Sequence, residues 1–284
     1  MSSSWVWTAA GYFIMSITRT LKTLTTASPV CRQVASSSRP ATVRDATVFV
    51  SQRSIFGLIS CQLFSTSSSA MEDITNIHYG PLPADSPYVK PFRFYYTQNG
   101  KQKNWDLLKV HDSVSIVIFN VTRQKLVFVK QFRPAVYHGL VSAEAGEDGR
   151  SIDMKKFPPS LAVTLELCAG IVDKPIPWVD IAREEVLEEC GYDVPSARIE
   201  EIMSYRSGVG TSGSLQTLFY VEVKDEDKVP AAGGGVDDEL IEVVEYSLEE
   251  ARKLTAKGNV LTSPPSFLFG VLWFLTNRAP PAKA

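Results

Sequence analysis

Residues 165–192 read LELCAGIVDKPIPWVDIAREEVLEECGY, and the succession of patterns inside them organises the rest of the chain. Leu161 to Cys168 reads as a strand, closed by Ala169 and Gly170. A loop holding Pro175 and Pro177 follows. Val179 to Cys190 then takes a helical pattern that Gly191 stops, with Asp180 near its start, where a carboxylate suits the positive end of the helix dipole. On this helix sit Glu184, Glu185, Glu188 and Glu189. The pairs 184/188 and 185/189 are four apart and 185/188 three apart, so the carboxylates crowd along one side. Like charges at these spacings cost roughly 0.2–0.5 kcal/mol per pair, and an isolated helix gains nothing from them. A divalent cation removes the penalty: hard ions such as Mg²⁺ take oxygen ligands from a few carboxylates, waters and substrate phosphates. Taken on charge alone, the competing reading is a solvated acidic face.

Working outward, elements on both sides alternate between strand-like and helix-like patterns from about residue 75, with no internal repeat. Phe92 to Gln98, then Asn99-Gly100, give the best short hairpin signal in the chain, so residues 92–110 are expected to form a β-hairpin. Val114 to Asn120 and Lys125 to Gln131 are apolar, β-branched runs split by a short polar connection, which suggests a buried strand pair at the sheet core. Tyr137 to Ser160 has no clear period and reads as a long loop. Beyond the glutamate helix, Ile199 to Tyr205, Gln216 to Val223 and Leu240 to Tyr246 read as strands, and Leu248 to Lys257 and Ser266 to Asn277 as helices. Gly208, Gly210 and Gly213 mark a flexible turn. This order favours an α+β domain in which a mixed sheet is sandwiched between helices.

Composition sets wider bounds. With 284 residues and 44% hydrophobic content the chain has ample material for a packed core, and a net charge of −2 provides no global field for nucleic acid or acidic membranes. The four cysteines form no CxxC pair and no zinc spacing, and Cys168 and Cys190 read as reduced. Residues 1–70 differ from the rest: they hold fifteen serines, six basic residues and one acid, Asp45. That is the pattern of a mitochondrial transit peptide, with Arg53 to Phe64 able to form a basic amphipathic helix; a disordered leader with Met71 as the effective start is the other reading. The apolar stretch Trp5 to Ile17 is too short to span a bilayer, so no membrane anchorage is expected. A cytoplasmic location is the expectation, a mitochondrial one if the leader is a true transit peptide.

The frame around the helix is more specific than its charges. Gly170, Glu185, Val186, Glu188, Glu189, Gly191 and Tyr192 align with the pattern G-x5-E-x7-R-E-U-x-E-E-x-G-U, so residues 170–192 resemble the Nudix box. Two positions depart from it: its first glutamate falls on Ile176, and its arginine on Glu184, with Arg183 one residue early and rotated by about 100° on the helix. Outside the box, Gln98-Asn99-Gly100, Trp105-Asp106, residues 109–114, residues 129–137, residues 207–210 and residues 239–244 resemble the UDP-sugar diphosphatases, relatives of the ADP-ribose pyrophosphatases.

The resemblance implies a Nudix α/β/α sandwich over residues 71–284 and Mg²⁺-dependent hydrolysis of the diphosphate of nucleoside diphosphate sugars, UDP-glucose-like or ADP-ribose, with Mn²⁺ as a possible substitute. It implies that Glu185, Glu189, Glu188 and the Ala169 carbonyl hold metal, that Glu239 on a loop after a glycine hinge assists as a base, and that Arg133 contacts substrate. In the family the box's arginine helps to hold the glutamates, and Arg183, one residue early, is the candidate to reach them here. Trp105 is a candidate for stacking on the base, a packed aromatic being the alternative. Relatives form homodimers by exchanging N-terminal hairpins, in which case Trp105 serves the partner's site. A non-catalytic Nudix module that binds a nucleotide or a protein is the alternative function.

Overall fold

The computed structural model describes residues 74–86, 88–145, 152–236, 239–259 and 261–280, all within the unit spanning 68–284. The expected leader at 1–70, with Arg53 to Phe64, lies outside the described residues, as do 146–151 of the expected long loop.

The hairpin forms as β1 (Lys90–Gln98) and β2 (Lys101–Lys109), paired antiparallel around Asn99 and Gly100, both at positive φ as a two-residue turn requires. It is a separate two-stranded sheet. Neither strand has a buried residue, and Phe92, Phe94 and Tyr95 are exposed.

The main sheet has seven strands. β3 (Ser113–Asn120) lies at its centre, parallel to β8 (Leu215–Val223) and antiparallel to β4 (Lys125–Phe132) and β6 (Cys168–Ile171). β4 also pairs with β5 (Val163–Glu166) and β9 (Glu242–Ser247), and β7 (Glu200–Arg206) completes the far side against β8. β3 is apolar almost throughout because both faces are covered, and its period-two alternation divides the core. Val114, Ile116 and Ile118 face Ile181, Ala182, Val186 and Cys190 of α2 (Trp178–Cys190). Val117 and Phe119 face Ala251 of α3 (Leu248–Leu254) and Phe267, Val271 and Phe274 of α4 (Pro265–Asn277). Each large apolar side chain so buried contributes about 1.5–3 kcal/mol. A mixed sheet between helical layers is the α/β/α sandwich expected.

Two expectations change. Part of the expected loop is helical: α1 covers Pro134–Ala145. Pro134 presets the first turn, and Tyr137 and Val141, four apart, bury one narrow face. The residues around these two are themselves mostly small or apolar, such as exposed Leu140, which leaves little periodicity to read. The expected strand from Leu161 to Cys168 is instead a 3₁₀ turn at Pro159–Ala162, then β5 and β6 on either side of Leu167. That break lets β5 pair with β4 while β6 pairs with β3.

Candidate active site

The glutamates come together where β6 meets α2. Gly191, at φ 70°, caps the helix and donates its N–H to the Leu187 carbonyl, as a glycine in the left-handed region does. The apolar stripe of α2 fixes its rotation, and that rotation turns Glu185 and Glu189 toward the sheet. Glu189 is only 4% exposed; its Oε2 accepts a hydrogen bond from the Ala169 N–H at 3.0 Å, and the Cys168 thiol is a further donor to the carboxyl. Glu185 is half-buried against Gly170, where a Cβ would fall 1.8 Å from its Oε1; the box glycine is therefore the space that Glu185 occupies. Among the described residues, neither Glu185 nor Glu188 has a hydrogen bond or ion pair through its carboxylate.

Burial dominates the electrostatics here. It raises the Glu185 carboxyl to about 7, with Glu188 and Glu239 adding repulsion, and the Glu189 carboxyl to about 8 against the opposing hydrogen bond from Ala169. Burial likewise pushes the Cys168 thiol up; it and Cys190 are free and buried. Among the described residues no three acidic, histidine or cysteine side chains converge as a preformed metal cage. The donor set nonetheless fits a hard divalent cation: two poorly solvated carboxylates carry little compensation, and a cation would supply it.

Arg133 joins this group from the end of β4. Its Nε and Nη2 donate to Glu166 Oε1 and Oε2 at 2.8 and 2.7 Å, and Thr164 Oγ1 donates to the same Oε1 at 2.5 Å. Glu166 is 6% exposed while the Arg133 side chain is 43% exposed, so a buried carboxylate aims an accessible guanidinium. The hydrogen bond to Glu166 raises the Arg133 pKa, with Glu189 and Glu239 also adding to it. Glu239 lies close enough to act electrostatically on Glu185, Glu189 and Arg133 together.

Not every expected residue joins. Arg183 turns away from the glutamates, donating from Nε to the Val194 carbonyl at 3.0 Å and from Nη2 to Asp193 at 2.7 Å; one step along the helix is enough to change its neighbours. Lys174, from the loop before the helix, takes up Glu184 at 2.6 Å. Ile176, at the box's first acidic position, packs on the core instead. Trp105 donates from Nε1 to the Gly210 carbonyl at 2.8 Å, which ties the hairpin to the 207–213 turn rather than to the glutamate helix. Glu166 and Lys174 were not legible as site residues. Only the strand pairing and a loop's path bring them there, although an acid before Gly170 and a base before the helix were visible signals.

Comparison with known proteins gives a consistent likeness. No family model matches the chain. It is similar to the uridine diphosphate glucose pyrophosphatase NUDT14 of Bos taurus, 42% identical over 219 residues covering 74% of this chain and 98% of that protein. The Mus musculus protein of the same name is 39% identical over 219 residues, with 74% and 98% covered. A GDP-mannose pyrophosphatase of Salmonella arizonae is 32% identical over 149 residues, 52% of this chain and 66% of that protein.

Proposed function

The chain belongs to the uridine diphosphate glucose pyrophosphatase family of Nudix hydrolases, and from that premise we propose that it hydrolyses the diphosphate of nucleoside diphosphate sugars, UDP-glucose foremost, to a nucleoside monophosphate and a sugar 1-phosphate. The observation that carries the reading is the buried Glu189 beside half-buried Glu185, next to an accessible guanidinium held by Glu166. Cations held by these carboxylates would supply the positive charge that both the carboxylates and a diphosphate need, beside the Arg133 guanidinium.

Glu185, Glu188, Glu189 and the Ala169 carbonyl would hold divalent cations, Mg²⁺ by preference and Mn²⁺ in its place. Such ions, when bound, neutralise phosphate charge and acidify a water. Arg133 binds a phosphate oxygen through the N–H groups that Glu166 leaves free, and Glu166 fixes their direction. Glu239 accepts a proton from the attacking water. The water oxygen bonds to one phosphorus, the bridging P–O bond breaks, and the bridging oxygen leaves with the other phosphate. No covalent enzyme intermediate is involved.

The protein acts as a homodimer. The hairpin of β1 and β2 exposes Phe94 (53%) and Tyr95 (72%), and a lone two-stranded sheet is marginal in water without a partner. A second copy laid against it would also bring Trp105 near the partner's site.

The test is direct. The purified full chain, given UDP-glucose and Mg²⁺, is expected to release UMP and glucose 1-phosphate, and the Glu189→Gln variant to lose that activity. No UMP release, or an unimpaired variant, would overturn the proposal.

A further inference from the structure

Gly233, Gly234 and Gly235 precede Glu239 and look, as sequence, like a hinge. In the fold they are fastened to the glutamate helix. The Gly234 N–H donates to the Glu189 carbonyl at 2.8 Å and the Gly235 N–H to the Glu188 carbonyl at 3.1 Å. These are last-turn carbonyls of α2, which have no partner within the helix and must find one elsewhere. Lys228 Nζ takes a third, that of Cys190, at 2.6 Å. The segment is pinned from its other side as well, since the Ile241 N–H donates to the Gly234 carbonyl at 3.2 Å.

This docking requires glycine. All three residues have φ near +90°, a region that L side chains rarely adopt. A Cβ on Gly233 would press on the backbone of Glu189, Cys190 and Gly191 at 3.1–3.3 Å. At Gly235 the obstacle is different: a Cβ would fall 2.8 Å from Glu239 Cβ and 3.2 Å from its carbonyl oxygen. Glu239 in turn donates its N–H to the Val236 carbonyl at 3.1 Å. The backbone that presents Glu188 and Glu189 is thus bonded to the segment that presents Glu239.

From this we infer that the glycine run is a clamp rather than a hinge, and that Gly235 is a positioning residue that sets Glu239 against Glu185 and Glu189 through the C-terminal carbonyls of α2. The inference rests on the role given to Glu239 above, and deepens it. The bonds from Gly234 and Gly235 hold the start of the Glu239 segment in register with the end of α2.

A double-mutant cycle tests this on the full chain with UDP-glucose and Mg²⁺. Gly235→Ala is expected to lower kcat about 10- to 100-fold with KM within about threefold, since it displaces a group acting at the chemical step. In a Glu239→Gln background the same substitution is expected to cost less than about twofold, because the residue it acts through is already disabled. Equal losses in both backgrounds would overturn the inference, as they would mark a purely structural role. Hydrogen–deuterium exchange on the unsubstituted protein supplies a reading that does not depend on a variant folding or on activity. Amides of residues 234–235 should exchange slowly, with the protection of the last turn of α2, and exchange at the rate of an open loop would contradict the clamp. If the unsubstituted protein releases no UMP yet these amides are protected, the proposed function fails and the clamp stands; if it is active and the amides are unprotected, the function stands and the clamp fails.

Discussion

Replacing Glu189 by Gln should stabilise the metal-free protein, and increasingly so as pH rises. In the fold the Glu189 carboxyl is pushed up to about 8, while its ordinary value is 4.5. A folded pKa above the unfolded one favours the fold while the group is protonated, and that contribution is lost as pH rises toward the folded value. Between pH 6 and 8 the unfolded chain is ionised at this position while the folded one still holds most of its proton. The loss over that interval is about 2 kcal/mol from this residue alone. For a domain of this size that lowers Tm by about 4–8 °C. Glutamine keeps an oxygen to accept the Ala169 N–H but carries no charge, so the variant should not show this decline. The assay is thermal unfolding in EDTA at pH 6 and pH 8, for parent and variant, repeated with Mg²⁺. Parent Tm should fall relative to the variant toward pH 8, and Mg²⁺ should restore it in the parent only. Parent and variant that track each other across this range, with equal responses to Mg²⁺, would show that Glu189 does not hold its proton in the fold.

Other perturbations separate the parts of the site. Arg133→Lys loses the two-point pairing with Glu166 and should lower kcat/KM for UDP-glucose by about 10- to 100-fold in steady-state assays. Arg133→Ala should in addition cost about 1–3 kcal/mol in chemical denaturation, a range kept low because the guanidinium side is 43% exposed while Glu166 is left buried without its partner. Gly170→Ala places a methyl where Glu185 Oε1 sits, and should raise the Mg²⁺ concentration for half-maximal activity at least about tenfold while the EDTA Tm changes little. Phe94→Asp together with Tyr95→Asp should convert a dimer to a monomer by light scattering; a parent that is monomeric at all concentrations would contradict the proposed assembly.

The sequence and the fold agree most where a local pattern carries the information. The glutamate helix and its glycine stop are written in consecutive residues, so the boundaries Val179 to Cys190 and Trp178–Cys190 differ by one. The same holds for the Asn99-Gly100 hairpin and for the apolar run that becomes the buried strand β3. What was hidden depends on pairing across the chain. Glu166 becomes a site residue only because β5 lies beside β4, 33 residues from Arg133. The clamp depends on carbonyls at a helix end, which no side-chain pattern reports, so three glycines read as freedom when they act as close contact. Arg183 shows the converse. Its proximity along the chain suggested a contact with the glutamates that helix geometry gives to Asp193 and Val194 instead.

We propose that divalent cations neutralise the carboxylates of α2. Calorimetric titration of the full chain with Mn²⁺ or Mg²⁺ at pH 7, in two buffers of different ionisation enthalpy, reads this directly. With Glu185 near 7 and Glu189 near 8, binding should expel about one to two protons per chain, and Glu189→Gln should both weaken binding and remove about one of them. Binding that is unaffected by the substitution and releases no protons would contradict it.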